Sequence, residues 1–90
     1  MYTEYHVYVL QSITTGEIYI GQTSDLTRRI TQHNDPLCKL TLHTKRRHGP
    51  WRLVYSEVCK DRSSAMKREK ELKSGKGREW IRNQVLTCYQ

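Results

Sequence analysis

Ninety residues, 36% apolar and 28% charged, allow one domain, 1–90, with a modest core and no room for a second substrate-binding domain. A net charge of +7 points to a polyanionic partner, most simply nucleic acid, against the plainer alternative of a solubilising surface. The chain contains no run of 18 apolar residues, and Met1–Tyr5 carries neither a basic nor an apolar leader segment, so the expectation is a cytoplasmic protein without a membrane span or secretory signal.

The charge is uneven. Residues 1–38 hold Arg28 and Arg29 against four acids, whereas residues 39–90 hold fourteen basic against five acidic side chains. Cys38, Cys59 and Cys88 are odd in number and form no C-x-x-C, which argues against a disulfide framework. A zinc site from Cys38, His43, His48 and Cys59 has irregular spacing and is disfavoured.

In chain order, Tyr5–Leu10 reads as a first strand, with Tyr5, Val7 and Val9 on one side and His6, Tyr8 and Leu10 on the other. Thr14-Thr15-Gly16 supplies a turn. Glu17–Gly21 then reads as a second strand, antiparallel to the first, with Gly21 where the chain must turn again. Tyr8 and Tyr19 can share a face, with core packing as the plainer reading; the register that decides it is not written in the sequence. Ser24 or Asp25 caps a helix over about 25–34, which Asn34-Asp35-Pro36 stops. Leu26 and Ile30 form its apolar stripe, and Arg29 and His33 border that stripe within about 60°.

Residues 37–50 read as an exposed basic loop containing Lys39, Lys45, Arg46 and Arg47, suited either to lying along phosphates or to solvation alone. Trp51–Val58 reads as a third strand, with Trp51, Leu53 and Tyr55 alternating with Arg52, Val54 and Ser56. Asp61 or Ser63 caps a helix over about 62–73, broken by Gly75 and Gly77, and a last helix covers about 78–86. The fold class is therefore α+β: a small three-stranded antiparallel sheet flanked by three or four helices.

Glu69 is the informative acid of the 62–73 helix. On a wheel of about 100° per residue it falls about 40° from Ala65 and about 60° from Leu72, while Glu71 points to solvent. An inward carboxylate needs a partner, either a cation or a buried salt bridge such as Glu69–Arg29. Tyr8, Tyr19, Arg29, His33 and Glu69 together suit phosphodiester hydrolysis. One carboxylate can anchor Mg²⁺ (or Mn²⁺), Arg29 can grip a phosphate oxygen, and a phenol can act as base where cations lower its pKa.

His6-Val7-Tyr8, the ten-residue gap to Tyr19-Ile20-Gly21, the Arg29-x-x-x-His33 and the late Glu69 resemble the GIY-YIG nuclease superfamily over essentially the whole chain. The runs Ala65–Lys73 and Gly75–Ile81 are most like its small stand-alone bacterial members. The resemblance implies Tyr8 and Tyr19 lining the site, with Tyr19 or a water-linked neighbour as base. It implies Arg29 as phosphate ligand, Glu69 as the single metal ligand and His33 as an aid to proton transfer. Two departures stand out: His6 replaces the first glycine of the pattern, and Gln22 stands where some members carry lysine.

The expected function is a metal-dependent DNA endonuclease of repair or recombination. The alternatives are a nucleic-acid-binding module of the same fold with little cleavage, or a structural domain. Lys39, Lys45, Arg46, Arg47, Lys73, Lys76 and Arg78 are the expected nucleic-acid contacts, and a partner protein is a second route to substrate choice.

Overall fold

The central strand of the sheet is also the most apolar run of the chain. Val7, Tyr8, Val9 and Leu10 are all fully buried, which requires cover on both faces of the strand. The computed structural model describes residues 4–35 and 50–86. In it β1 (Tyr5–Ser12) pairs antiparallel with both β2 (Ile18–Thr23) and β3 (Trp51–Cys59), in the order β2-β1-β3. The turn between β1 and β2 passes through Gly16 at φ 81°, the left-handed region that glycine enters without a Cβ clash.

Both strands of the hairpin are longer than the sequence predicts. β1 continues through Ser12, and β2 continues through Gly21 to Thr23. Gly21 is therefore not at a turn. It lies mid-strand opposite Tyr8, and a Cβ there would stand 2.6 Å from the Tyr8 Oη and 2.8 Å from its Cζ. The missing side chain is the space into which the Tyr8 ring folds.

Helix α1 (Leu26–Asn34) covers one face, where Tyr8, Leu10 and Trp51 pack with Tyr19, Leu26 and Ile30. Asp25 is its cap, accepting from the Arg28 N–H at 3.1 Å. The Asn34 side chain pairs with both backbone groups of Trp51, at 2.8 and 2.9 Å, and pins the end of α1 to β3. The other face is covered by α2 (Arg62–Lys73), capped by Asp61, and by α3 (Gly75–Trp80), which runs on as a π-helical turn over Ile81–Val85. There Val7, Val9, Ile20 and Val54 pack against Ala65, Leu72, Ile81 and Val85.

Two expectations need correction here. The alternation in β3 does not persist, because the register slips between Val9↔Tyr55 and Leu10↔Leu53 and leaves Val54 as an extra residue. Val54 and Tyr55 consequently both join the α2 face, while Trp51 belongs to the α1 face. Nor do Gly75 and Gly77 break the helix. The chain bends at Ser74, and α3 starts at Gly75 with Ser74 as its cap. A Cβ on Gly77 would collide with the backbone of Glu71 and Leu72, so this glycine permits close approach to the end of α2. Among the described residues, no helix is long and apolar enough to cross a membrane.

Candidate active site

The hairpin register sets Tyr8 opposite Gly21 and Leu10 opposite Tyr19, so the two tyrosines occupy one face on a diagonal, with ring centroids 6.3 Å apart. His33, in the last turn of α1, completes the cluster. Its ring lies 5.8 Å from that of Tyr8 and 4.8 Å from that of Tyr19, and its Nε2 is 2.8 Å from the Tyr8 Oη. Tyr8 and His33 are both buried and satisfy one another. Tyr19 is only half-buried.

Arg29, one helical turn before His33, is half-buried beside both phenols. Partial desolvation opposes its charge, but hydrogen bonding to Tyr8 and attraction to Tyr8 and Tyr19 outweigh this and raise its pKa. The same contact is felt by Tyr8. Burial pushes the Tyr8 phenol up to about 12, against hydrogen bonding to Arg29; Tyr19 and Glu69 push it further up, and the charge of Arg29 opposes them. Glu69 therefore lies within electrostatic reach of Tyr8, although it belongs to the helix on the opposite face of the sheet.

That reach is possible because β2 is an edge strand and α2 lies against it. The Glu69 side chain is 25% exposed, against 53% for Glu71, as the helical spacing predicts. Its ion pair is not the Glu69–Arg29 bridge. Among the described residues it pairs with Lys73, one turn on, at 3.3 Å. A partly exposed carboxylate whose partner is a flexible lysine can exchange that partner for another cation. One carboxylate beside phenols suits a hard, hydrated ion such as Mg²⁺ rather than zinc, and among the described residues no cluster of three His, Cys, Asp or Glu forms.

A hollow of about 400 Å³ opens at Tyr19, lined by Ile18, Ile20, Lys73 and Arg78. Two of the expected nucleic-acid contacts, Lys73 and Arg78, are thus brought to the site. Arg78 is held there by its Nε–H donating to the Lys73 carbonyl at 3.1 Å. Lys76 is not brought to it; it lines a separate depression with Arg68 and Trp80. Lys39, Lys45, Arg46 and Arg47 lie outside the described residues, as do Cys38, His43 and His48 of the disfavoured zinc arrangement.

At a second hollow, of about 360 Å³, Arg28 and Arg62, which sequence reasoning missed, join Arg29 and Gln22, which it noted only as a departure from the family pattern. They come from β2, α1 and α2, and no spacing along the chain links them. Asn34 was legible only as a helix stop, since its partner Trp51 lies 17 residues away.

Comparison with known proteins identifies a family for the chain. Residues 4–83 match the GIY-YIG catalytic domain. A UPF0213 protein of Desulfotalea psychrophila is 45% identical over 67 residues, which are 74% of this chain and 58% of that one, so the chain spans less than two thirds of that relative. The Trypanosoma cruzi protein named structure-specific endonuclease subunit SLX1 homolog 1 is 45% identical over 58 residues, covering 60% of this chain and 11% of its own length. The solution NMR structure of a UPF0213 protein from Bacillus halodurans superposes with a TM-score of 0.52 at 28% identity, covering 89% of this chain and 83% of that one. With the sheet order, the tyrosine pair packed beside Gly21 and a family match over residues 4–83, the chain belongs to the GIY-YIG catalytic domain family.

Proposed function

We propose that this protein is a divalent-metal-dependent endonuclease that hydrolyses phosphodiester bonds in DNA, serving repair or recombination in the cytoplasm, with a partner protein as one route to substrate choice. The observation that carries this reading is the convergence of Tyr8, Tyr19, Arg29 and His33 with the charge of Glu69, beside a hollow edged by Lys73 and Arg78. The name of the Trypanosoma cruzi relative, a structure-specific endonuclease subunit, supports nicked, flapped or branched DNA as the substrate.

The residues divide the work by position. Tyr8 is buried and bonded to His33, so it holds the cluster in place and stays protonated at neutral pH. Tyr19 reaches the hollow and, as its phenolate, would take the proton of attacking water and become the phenol. Arg29 offers a planar fork to the non-bridging phosphate oxygens and to the charge that grows on them. Glu69 would hold the metal, displacing Lys73, and the bound ion supplies charge neutralisation at the phosphate and leaving oxygen. Lys73 and Arg78 grip the neighbouring backbone.

The test is a cleavage assay with Mg²⁺ or Mn²⁺ on linear, nicked, flap and junction DNA. The parent chain is expected to cut at least one of the structured substrates. Glu69→Ala and Arg29→Ala are expected to lose about 100-fold or more in rate while still binding DNA. Undiminished cutting by either variant would refute the assignment. A second reading, a binding module with little cleavage, is favoured by one observation: Gln22 stands where some members carry lysine, which leaves one cation fewer to assist proton transfer at Tyr19. Binding without cutting on every substrate would select it.

A further inference from the structure

We propose that the hollow lined by Gln22, Arg28 and Arg62 is a second phosphate subsite, which holds the DNA backbone beyond the bond to be cut. The proposal rests on the nucleic-acid reading above and adds residues and a direction to it. Three guanidiniums, Arg28, Arg29 and Arg62, line one concavity of about 360 Å³. Asp25 is the acid in its lining, and the Asp25 Oδ1 is engaged by the Arg28 backbone N–H as the helix cap. Among the described residues Arg68 pairs with Glu57 and Glu71, and Lys73 pairs with Glu69. Among the described residues, Arg28 and Arg62 have no such ion pair. Three cations around one open concavity give a positive potential that favours an anion, and the guanidinium fork matches phosphate oxygens.

Gln22 also lines this hollow. Its Oε1 is buried and has no hydrogen-bond partner among the described residues. That oxygen is an acceptor shut off from solvent, so the donor Gln22 can offer a phosphate oxygen is the other end of its amide, Nε2–H.

The layout along the edge strand sets the direction. The Lys73/Arg78 hollow opens at Ile18–Ile20 of β2, and the arginine hollow opens at Gln22–Thr23. At about 3.3 Å per strand residue the two are about 10–13 Å apart. This gap is longer than the rise of about 3.4 Å of helix axis per phosphate of one strand, so the two hollows take different phosphates. Arg29 reaches the phenols and also lines the arginine hollow, which puts the reacting phosphate between the two. The substrate backbone then runs along β2, gripped on both sides of the cut.

The test measures binding of the full chain to a fluorescein-labelled DNA duplex by anisotropy over a range of NaCl, without divalent metal. Arg28→Gln and Arg62→Gln are each expected to reduce the slope of log K against log salt by about 0.9, and the pair by about twice that. Arg28→Lys and Arg62→Lys keep the charge and are expected to keep the slope. Arg82→Gln, an exposed cation on the terminal helix, is the control and is expected to change the slope much less. Unchanged slopes in the glutamine variants, an equal loss in Arg82→Gln, or the absence of salt-dependent binding by the parent would each overturn the subsite. DNA cutting with unchanged slopes would leave the endonuclease standing and remove this proposal. Reduced slopes without cutting would do the reverse.

Discussion

Tyr8 shows how one residue can be right in identity and different in role. The tyrosine pair was legible from its spacing around the turn, but the sequence could not say which phenol would be buried. Tyr8 is enclosed against His33, and Tyr19 faces the hollow. This has a consequence at high pH. A free phenol ionises near 10, whereas Tyr8 keeps its proton in the folded protein to about 12. Its contribution to stability is therefore intact below pH 10 and is lost as the pH rises from 10 to 12, by about 2–3 kcal/mol at most. Tyr8→Phe lacks this titration. Urea unfolding of the two proteins at pH 8 and pH 11 is expected to show the phenylalanine variant gaining on the parent at the higher pH. Gly21 makes the complementary prediction. Gly21→Ala drives a methyl group into the Tyr8 ring and is expected to cost about 1–3 kcal/mol in thermal unfolding. Removing the hydroxyl as well, in Gly21→Ala with Tyr8→Phe, should recover part of the loss, because the two changes share one contact.

Among the elements, the helices were more legible than the third strand. Asp25 and Asp61 cap α1 and α2 as short polar residues should, and the wheel that turns Ala65 and Leu72 inward also turns Glu69 partly inward. The bulge at Val54 carries no local signal, since Leu53, Val54 and Tyr55 all suit a strand and only the pairing with β1 selects the extra residue. The glycines of α3 misled for a related reason. Glycine is read as a breaker from its backbone freedom, but Gly77 serves the contact with α2. The two glycines should then respond in opposite directions. Gly75→Ala meets nothing within 4 Å and is expected to be neutral or to stabilise by about 1 kcal/mol at most. Gly77→Ala is expected to destabilise by more than about 2 kcal/mol, because the obstruction is backbone. Melting curves of the two variants decide the matter.

For the whole molecule, the sheet separates two apolar layers that share the strand β1. Trp51 reports on the α1 layer, and Trp80, stacked edge-on against Tyr55 at 5.3 Å, reports on the other. Because Val7, Tyr8, Val9 and Leu10 alternate between the layers, neither face can open while the other stays packed. Tryptophan fluorescence of Trp51→Phe and Trp80→Phe is therefore expected to show one unfolding transition each, with midpoints that agree with those from circular dichroism on the same variant. Separate midpoints for the two probes would mean that the layers unfold independently. The same architecture lets a site form around the sheet edge. Arg29 and His33 come from one layer, and Glu69, on the helix of the other, lies within electrostatic reach of Tyr8.

The sequence by itself determined the types and order of the elements and named the five candidate site residues, because alternation, helical spacing and caps are local properties of a chain. It also determined that Glu69 would turn inward and Glu71 outward, since one helix period suffices for that. Only the tertiary structure decided the register of β1 on β2 and β3, the burial of Tyr8, the pairing of Glu69 with Lys73 and the meeting of Gln22, Arg28 and Arg62. Each of these depends on residues far apart in sequence, and long-range packing chooses among pairings that local preference leaves equal in energy.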